Sequence, residues 1–270
     1  MNDAQINAIV EQVVRKLSSE LSGLPSATAS ARPAAAPAVI TSRRPGIFDD
    51  LDSAAAAAQA AQRAWVETRL EVRAKVIEAM REATRRNVEQ LASMAVEETG
   101  LGNVKDKISK NLLVANKTPG LEILKPLAFT GDHGLMLLER APFGVIGAIT
   151  PSTNPTETII NNSIGMVAGG NAVVFNVHPS AKRVCAHFVG LVNEAITAAG
   201  GPQNLVTSIA EPTIESAQGL MKHKGIRLVV VTGGPAVVKA AMNSGKRAIA
   251  AGPGNPPAVV DATAHIEQAG

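Results

Sequence analysis

Between Val145 and Pro155 the chain passes directly from β-branched apolar residues (Val145, Ile146, Ile149) to Thr150-Pro151-Ser152-Thr153-Asn154-Pro155. A buried strand that ends in a polar, proline-stiffened loop presents hydrogen-bond donors at its carboxyl end, where open α/β sheets take their ligands. Asn154 carries an amide, and Thr153 a hydroxyl, that can donate to a developing oxyanion. A second run, Val230-Val231-Thr232-Gly233-Gly234-Pro235, combines a strand end, two glycines that admit close approach to the backbone, and a proline suited to a helix's first turn. Free N–H groups and the positive end of a helix dipole at such a place suit a phosphate, although the G-x-G-x-x-G fingerprint is absent. The single cysteine, Cys185, shares a helical face with Ala181, Val184, Phe188, Leu191, Val192 and Ile196, which marks it as a core thiol rather than a nucleophile.

These groups need a frame. After Phe143 strands are expected near 145–150, 172–176, 205–210, 228–232, 247–251 and 258–261, with helices near 156–168, 180–199, 213–222 and 235–244. Regular alternation of this kind implies an α/β, doubly wound parallel sheet covered on both faces, a Rossmann-type domain. Ahead of it, from Ile47 to about Gly120, the pattern is helical: Leu51 to Trp65, Val72 to Met94 and Asn103 to Asn116, the last ended by Pro119-Gly120. A looser stretch to Gly144 reads as a hairpin around Gly131-Asp132-His133-Gly134.

Residues 1–21 form a unit of their own. Ile6, Ile9, Val10, Val13, Val14, Leu17 and Leu21 make one apolar helical stripe, and the following 22–46, with Pro25, Pro33, Pro37 and Pro45, is an extended linker. A short amphipathic helix on a tether is a docking device; the alternative is a terminal helix packed on its own subunit. The domain proper is expected over 47–270. Mixed charges with a net +3 and only 2% aromatics argue against nucleic acid, no apolar run is long enough for a membrane helix, and one cysteine excludes an internal disulfide framework and fits a reducing cytoplasmic setting.

In the order Pro142 to Pro155, Gly170-Asn171-Ala172-Val173-Val174, Val230 to Gly234, and Ala250-Ala251-Gly252-Pro253-Gly254-Asn255-Pro256-Pro257, the chain resembles coenzyme A-acylating aldehyde dehydrogenases, notably those of bacterial microcompartments that oxidise propionaldehyde or acetaldehyde. Glu97-Glu98-Thr99-Gly100 and Asp106-Lys107 ahead of Lys110-Asn111 match the same family. The resemblance covers essentially all 270 residues. It implies NAD as cofactor, with Thr232, Gly233, Gly234 and Gly252 lining its site and Thr150, Pro151 and Ser152 beneath the nicotinamide. Asn176 stands where hydrolytic relatives have a ribose-binding Lys, and Pro179 where they have Glu; NAD is kept over NADP, and His178 is a candidate contact to cofactor or coenzyme A. An ungapped match of the prolines puts Thr153 at the family's Asn position; both Asn154 and Thr153 are candidate catalytic donors, with Asn154 preferred.

Hydrolytic relatives activate water with the Glu of E-L-G-G-K, whereas Ile249 to Asn255 offers Ala there. Losing a general base slows water attack by roughly 10²–10⁴, which leaves an enzyme-bound thioester to the thiol of coenzyme A. The resemblance places the nucleophilic Cys beyond Gly270, so the chain as given is expected to be an inactive fragment. It also implies a small aldehyde substrate, no metal, a homo-oligomer when complete, a microcompartment shell protein as partner of residues 1–21, and the compartment lumen as location. Two other readings stay open: a reductase of an acyl phosphate on the same architecture, and a non-catalytic dinucleotide-binding scaffold docking through its N-terminal helix.

Overall fold

The computed structural model describes residues 44–252 and 254–269; the targeting helix expected over 1–21 and nearly all of the linker lie outside the described residues. Six parallel strands form one sheet in the order β1-β6-β5-β4-β7-β8: Ile47–Phe48, Val206–Ile209, Ala172–Asn176, Val145–Ile149, Leu228–Thr232 and Arg247–Ala251. Chain order runs outward from β4 to β5 and β6 on one side, then returns to β7 and β8 on the other. Right-handed crossovers on the two sides of that reversal place their helices on opposite faces. Helices α5 (Pro155–Ala168) and α6 (Lys182–Ala198) therefore cover one face, and α7 (Ile214–Lys222) and α8 (Pro235–Met242) the other. The doubly wound architecture read from the sequence is the one observed.

The helical lead-in comprises α1 (Leu51–Val66), α2 (Leu70–Arg86), α3 (Val88–Thr99) and α4 (Val104–Lys117). The alanines of α1 pack closely: Ala54, Ala58 and Ala61 are buried, and Trp65 at its end donates from Nε1 to the Val167 carbonyl (2.8 Å). Every residue of β4 and β5 is buried, as the unbroken apolar runs require of strands covered on both faces. Phe175, Phe188, Ile159, Ile164 and Ile196 fill the layer between this sheet and its helices.

Three expectations are corrected. Ile47–Phe48 opens no helix but adds β1 beside β6, with Ser208 N–H donating to Gly46 and Ala210 N–H to Phe48 (both 2.8 Å). The helix expected over Val72 to Met94 is two helices, α2 and α3: Asn87 leaves helical geometry (φ −109°, ψ 10°) and its Nδ2 donates to the Ala83 carbonyl (2.7 Å). No strand forms at 258–261; Pro256-Pro257 remove two donors, Val259 is 92% exposed, and among the described residues no strand stands beyond β8 to pair with it. The remaining chain ends in a short α9 (Ile266–Ala269). The hairpin around Gly131 is present as β2 (Leu127–Gly131) and β3 (Gly134–Leu138), antiparallel and exposed on every residue.

Candidate active site

The chain reverses its course across the sheet between β4 and β7, and the two strands run in register, Ile149 beside Val231. The loop that follows β4 and the turn that follows β7 thus open side by side at the carboxyl edge, the crevice where doubly wound sheets hold dinucleotides. Thr150 is buried, its N–H reaching the Asn176 carbonyl (3.4 Å) while its Oγ1 has no protein partner. Pro151 and Ser152 are half-buried, Thr153 is exposed, and Asn154 is the N-cap of α5, followed by Pro155 in its first turn. The Asn154 side chain does not cap that helix. Its Oδ1 instead accepts from Lys110 Nζ (3.4 Å), and the Thr153 carbonyl accepts from Lys107 Nζ (2.9 Å). Pro151 and Pro155 were the expected braces; the two lysines of α4 are additional ones, and their spacing of one helical turn was the signal available in Asp106-Lys107 ahead of Lys110-Asn111.

At the β7 end, Gly233 N–H donates to the Ala251 carbonyl (3.2 Å), which ties the turn to the last residue of β8. A Cβ on Gly233 would fall 2.8 Å from Val237 Cγ1, so any larger residue there must push that side chain aside. A Cβ on Gly234 would meet nothing within 4 Å. Gly234 is the N-cap of α8 and offers no side chain to its free N–H groups. An open helix start next to open space fits the diphosphate of a dinucleotide. Gly252, one residue past β8, is likewise exposed and unobstructed. Ala250 and Ala251 end β8 beside Val231 and Thr232, so the position lacking a general base borders the same crevice.

Asn176 and His178 stand one strand further, at the end of β5. Asn176 is 3% exposed: its Nδ2 donates to the Thr213 carbonyl (3.4 Å) and its Oδ1 accepts from Ser216 Oγ (2.5 Å), bracing β5 against the start of α7. His178 is exposed, and its Nδ1 accepts from Ser180 N–H (3.2 Å) to cap the 3₁₀ turn Pro179–Ala181. The structure thus gives both side chains local structural work, while the backbone of Asn176 stands against Thr150, whose N–H its carbonyl accepts. Cys185 is fully buried on α6; burial, then the carboxylates of Glu98 and Glu157, push its thiol well above the usual range. A thiol held protonated inside a core cannot attack a carbonyl. Among the described residues no cluster of His, Cys, Asp and Glu could hold a metal, and no helix is long and apolar enough to cross a membrane.

A cavity of about 390 Å³ lies elsewhere, lined by Arg44, Met94, Glu97, Glu98, Arg183 and Ala186. Two of its charged residues already serve each other: Glu98 accepts from the N–H groups of Arg183 (2.8 Å) and Val184 (2.7 Å) and lies 3.6 Å from the Arg183 guanidinium. The crevice between β4 and β7 has the better chemistry for a ligand.

A model of the aldehyde dehydrogenase family matches residues 26–270. The chain belongs to the aldehyde dehydrogenase family. Acetaldehyde dehydrogenase (acetylating) EutE of Escherichia coli (strain K12) is 47% identical over 270 residues, all of this chain and 54% of that protein. A propionaldehyde dehydrogenase from the Clostridium phytofermentans fucose utilisation bacterial microcompartment superposes with a TM-score of 0.79 at 53% identity, over 83% of this chain and 52% of its own. The Rhodopseudomonas palustris propionaldehyde dehydrogenase solved with bound propionyl-CoA gives a TM-score of 0.79 at 50% identity, over 83% of this chain and 50% of its own. The chain spans about half the length of these aldehyde dehydrogenases.

Proposed function

We propose that this chain is the dinucleotide-binding portion of an enzyme that converts a short-chain aldehyde, NAD and coenzyme A to acyl-CoA, NADH and a proton. The observation that carries the reading is the meeting of three features at one sheet edge: the Thr150–Pro155 loop, the open start of α8, and the alanines that end β8. Thr232, Gly233, Gly234 and Gly252 border the diphosphate, and Thr150, Pro151 and Ser152 the nicotinamide. Asn176 and His178, at the end of β5, border the adenosine end. Bound NAD supplies the hydride acceptor.

The protein's own groups do the rest by position. Asn154 Nδ2 donates to the carbonyl oxygen as negative charge develops on it, with Thr153 alongside. Ala250 and Ala251 offer no base to water, so an acylated enzyme waits for the coenzyme A thiol. NAD is favoured over NADP because the two cations that open α6 are already paired, Lys182 with Glu211 and Arg183 with Glu98, which leaves neither free for a 2′-phosphate. The exposed apolar residues of the hairpin, among them Leu127, Phe129, Leu135 and Leu137, suit a subunit contact in a homo-oligomer. The microcompartment origin of the Clostridium relative supports a location inside such a compartment, with residues 1–21 docking on a shell protein.

The test is an assay of the complete polypeptide carrying this segment, with propionaldehyde and NAD, in the presence and absence of coenzyme A. NADH formation that depends on coenzyme A and yields propionyl-CoA is expected. Release of free acid at the same rate without coenzyme A contradicts the acylating assignment, and absence of NADH under both conditions contradicts the reading as a whole.

A further inference from the structure

One buried ion pair beneath the Thr150–Pro155 loop has no part in the function described above. Lys107 is 2% exposed and Glu157, in the first turn of α5, 5%; their charged atoms lie 4.0 Å apart. Glu157 Oε2 accepts from Thr156 Oγ1 (3.2 Å), while Oε1 has no hydrogen-bond partner and relies on the ammonium as its counter-charge. Desolvating two charges costs more than their attraction commonly returns, and apolar side chains of similar volume would hold α4 against α5 at least as well. What the ammonium adds is direction.

We propose that Lys107, held by Glu157 and seconded by Lys110, is a positioning residue that aims the Asn154 amide at the reacting carbonyl. Lys107 Nζ fixes the Thr153 carbonyl at 2.9 Å, and because the peptide unit is planar, a fixed Thr153 C=O fixes the N–H and Cα of Asn154 with it. Lys110 then acts on the side chain. A lysine donates and never accepts, so its 3.4 Å contact selects the Oδ1 end of the amide and turns the donor Nδ2 away from α4. Backbone and side chain are thus set by two cations one helical turn apart on a single helix. Asn154, at an N-cap where the amide oxygen ordinarily serves the helix's own N–H groups, is released from that duty.

The inference rests on Asn154 as the oxyanion donor, so its test has two arms. In the complete polypeptide, Lys107→Met is expected to lower kcat on the order of a hundredfold, the scale of a small misplacement of a catalytic group, with the KM for aldehyde and the Kd for NAD unchanged. In an Asn154→Ala background the same substitution is expected to have no further effect on kcat. A retained kcat, or losses that multiply between the two sites, overturns the proposal. Where Lys107→Met does not fold, Lys107→Met with Glu157→Leu removes both charges together, and a retained kcat in that variant overturns it equally. The second arm is amide hydrogen exchange on the 270-residue chain, which is independent of turnover: exchange at Thr150 and Thr158, whose N–H groups donate to the Asn176 and Asn154 carbonyls at the two ends of the loop, is expected to quicken about tenfold in Lys107→Met while α7 and β6 stay protected. Unchanged exchange refutes the positioning role even if the wild-type enzyme is active; quickened exchange with no aldehyde oxidation by the wild type refutes the functional reading and leaves the bracing of the loop intact.

Discussion

Helices α6 and α8 both begin at the carboxyl edge of one sheet, yet the protein closes the first and leaves the second open. At α6, Glu98 reaches across from α3 to satisfy two N–H groups and set a negative charge on the positive end of the dipole. The start of α7 is closed as well, by a capping box in which Thr213 and Ser216 each bond the other's backbone N–H. At α8 the N-cap is Gly234, with no side chain and open space before it. The difference teaches where to look for a ligand: a helix start whose donors are spent on the protein's own carboxylate is architecture, and one whose donors are left unspent beside a chain reversal is a binding place.

The comparison can be broken from the closed side. Glu98→Ala takes the acceptor from two N–H groups at the start of α6 and strips Arg183 of its partner, and is expected to cost about 2 kcal/mol, read as a fall in Tm of about 6 °C. The affinity for NAD is expected to stay the same; a loss of affinity in that variant would move the cofactor to α6. Thr213→Ala removes one side of the capping box and is expected to cost about 1 kcal/mol, a fall of about 3 °C, again without change in NAD affinity. That smaller effect sharpens the contrast, because it separates a neutral hydroxyl cap from the charged one.

Much of this frame could be read from residue types. The unbroken apolar runs of β4, β5 and β7, each followed by turn residues, gave away the parallel sheet, and the crowd of apolar neighbours around Cys185 marked it as inert. The Asn87 break went unread because apolar spacing continues across it; one residue in non-helical geometry changes no pattern. The strand at 258–261 was overread for the opposite reason, since β-branched residues form a strand only where a neighbour supplies a ladder. In the candidate site, the loop and the glycine turn were legible because both sit directly at strand ends. The braces were not, because Lys107 and Glu157 are 50 residues apart in the chain and only the packing of α4 on α5 makes them partners. The partners of Asn176 were hidden in the same way: its amide bonds Thr213 and Ser216, 37 and 40 residues further along the chain.

The central claim, that the open start of α8 is where a nicotinamide dinucleotide binds, is tested most directly by titrating NAD into the 270-residue chain and its Gly234→Asp variant under identical conditions. The backbone at Gly234 (φ −70°, ψ 166°) accepts aspartate, whose carboxylate would cap α8 and raise stability by about 0.3 kcal/mol. The account predicts a variant that melts higher and binds NAD at least about tenfold more weakly, its carboxylate standing where the diphosphate would sit. A variant with undiminished affinity for NAD would contradict it.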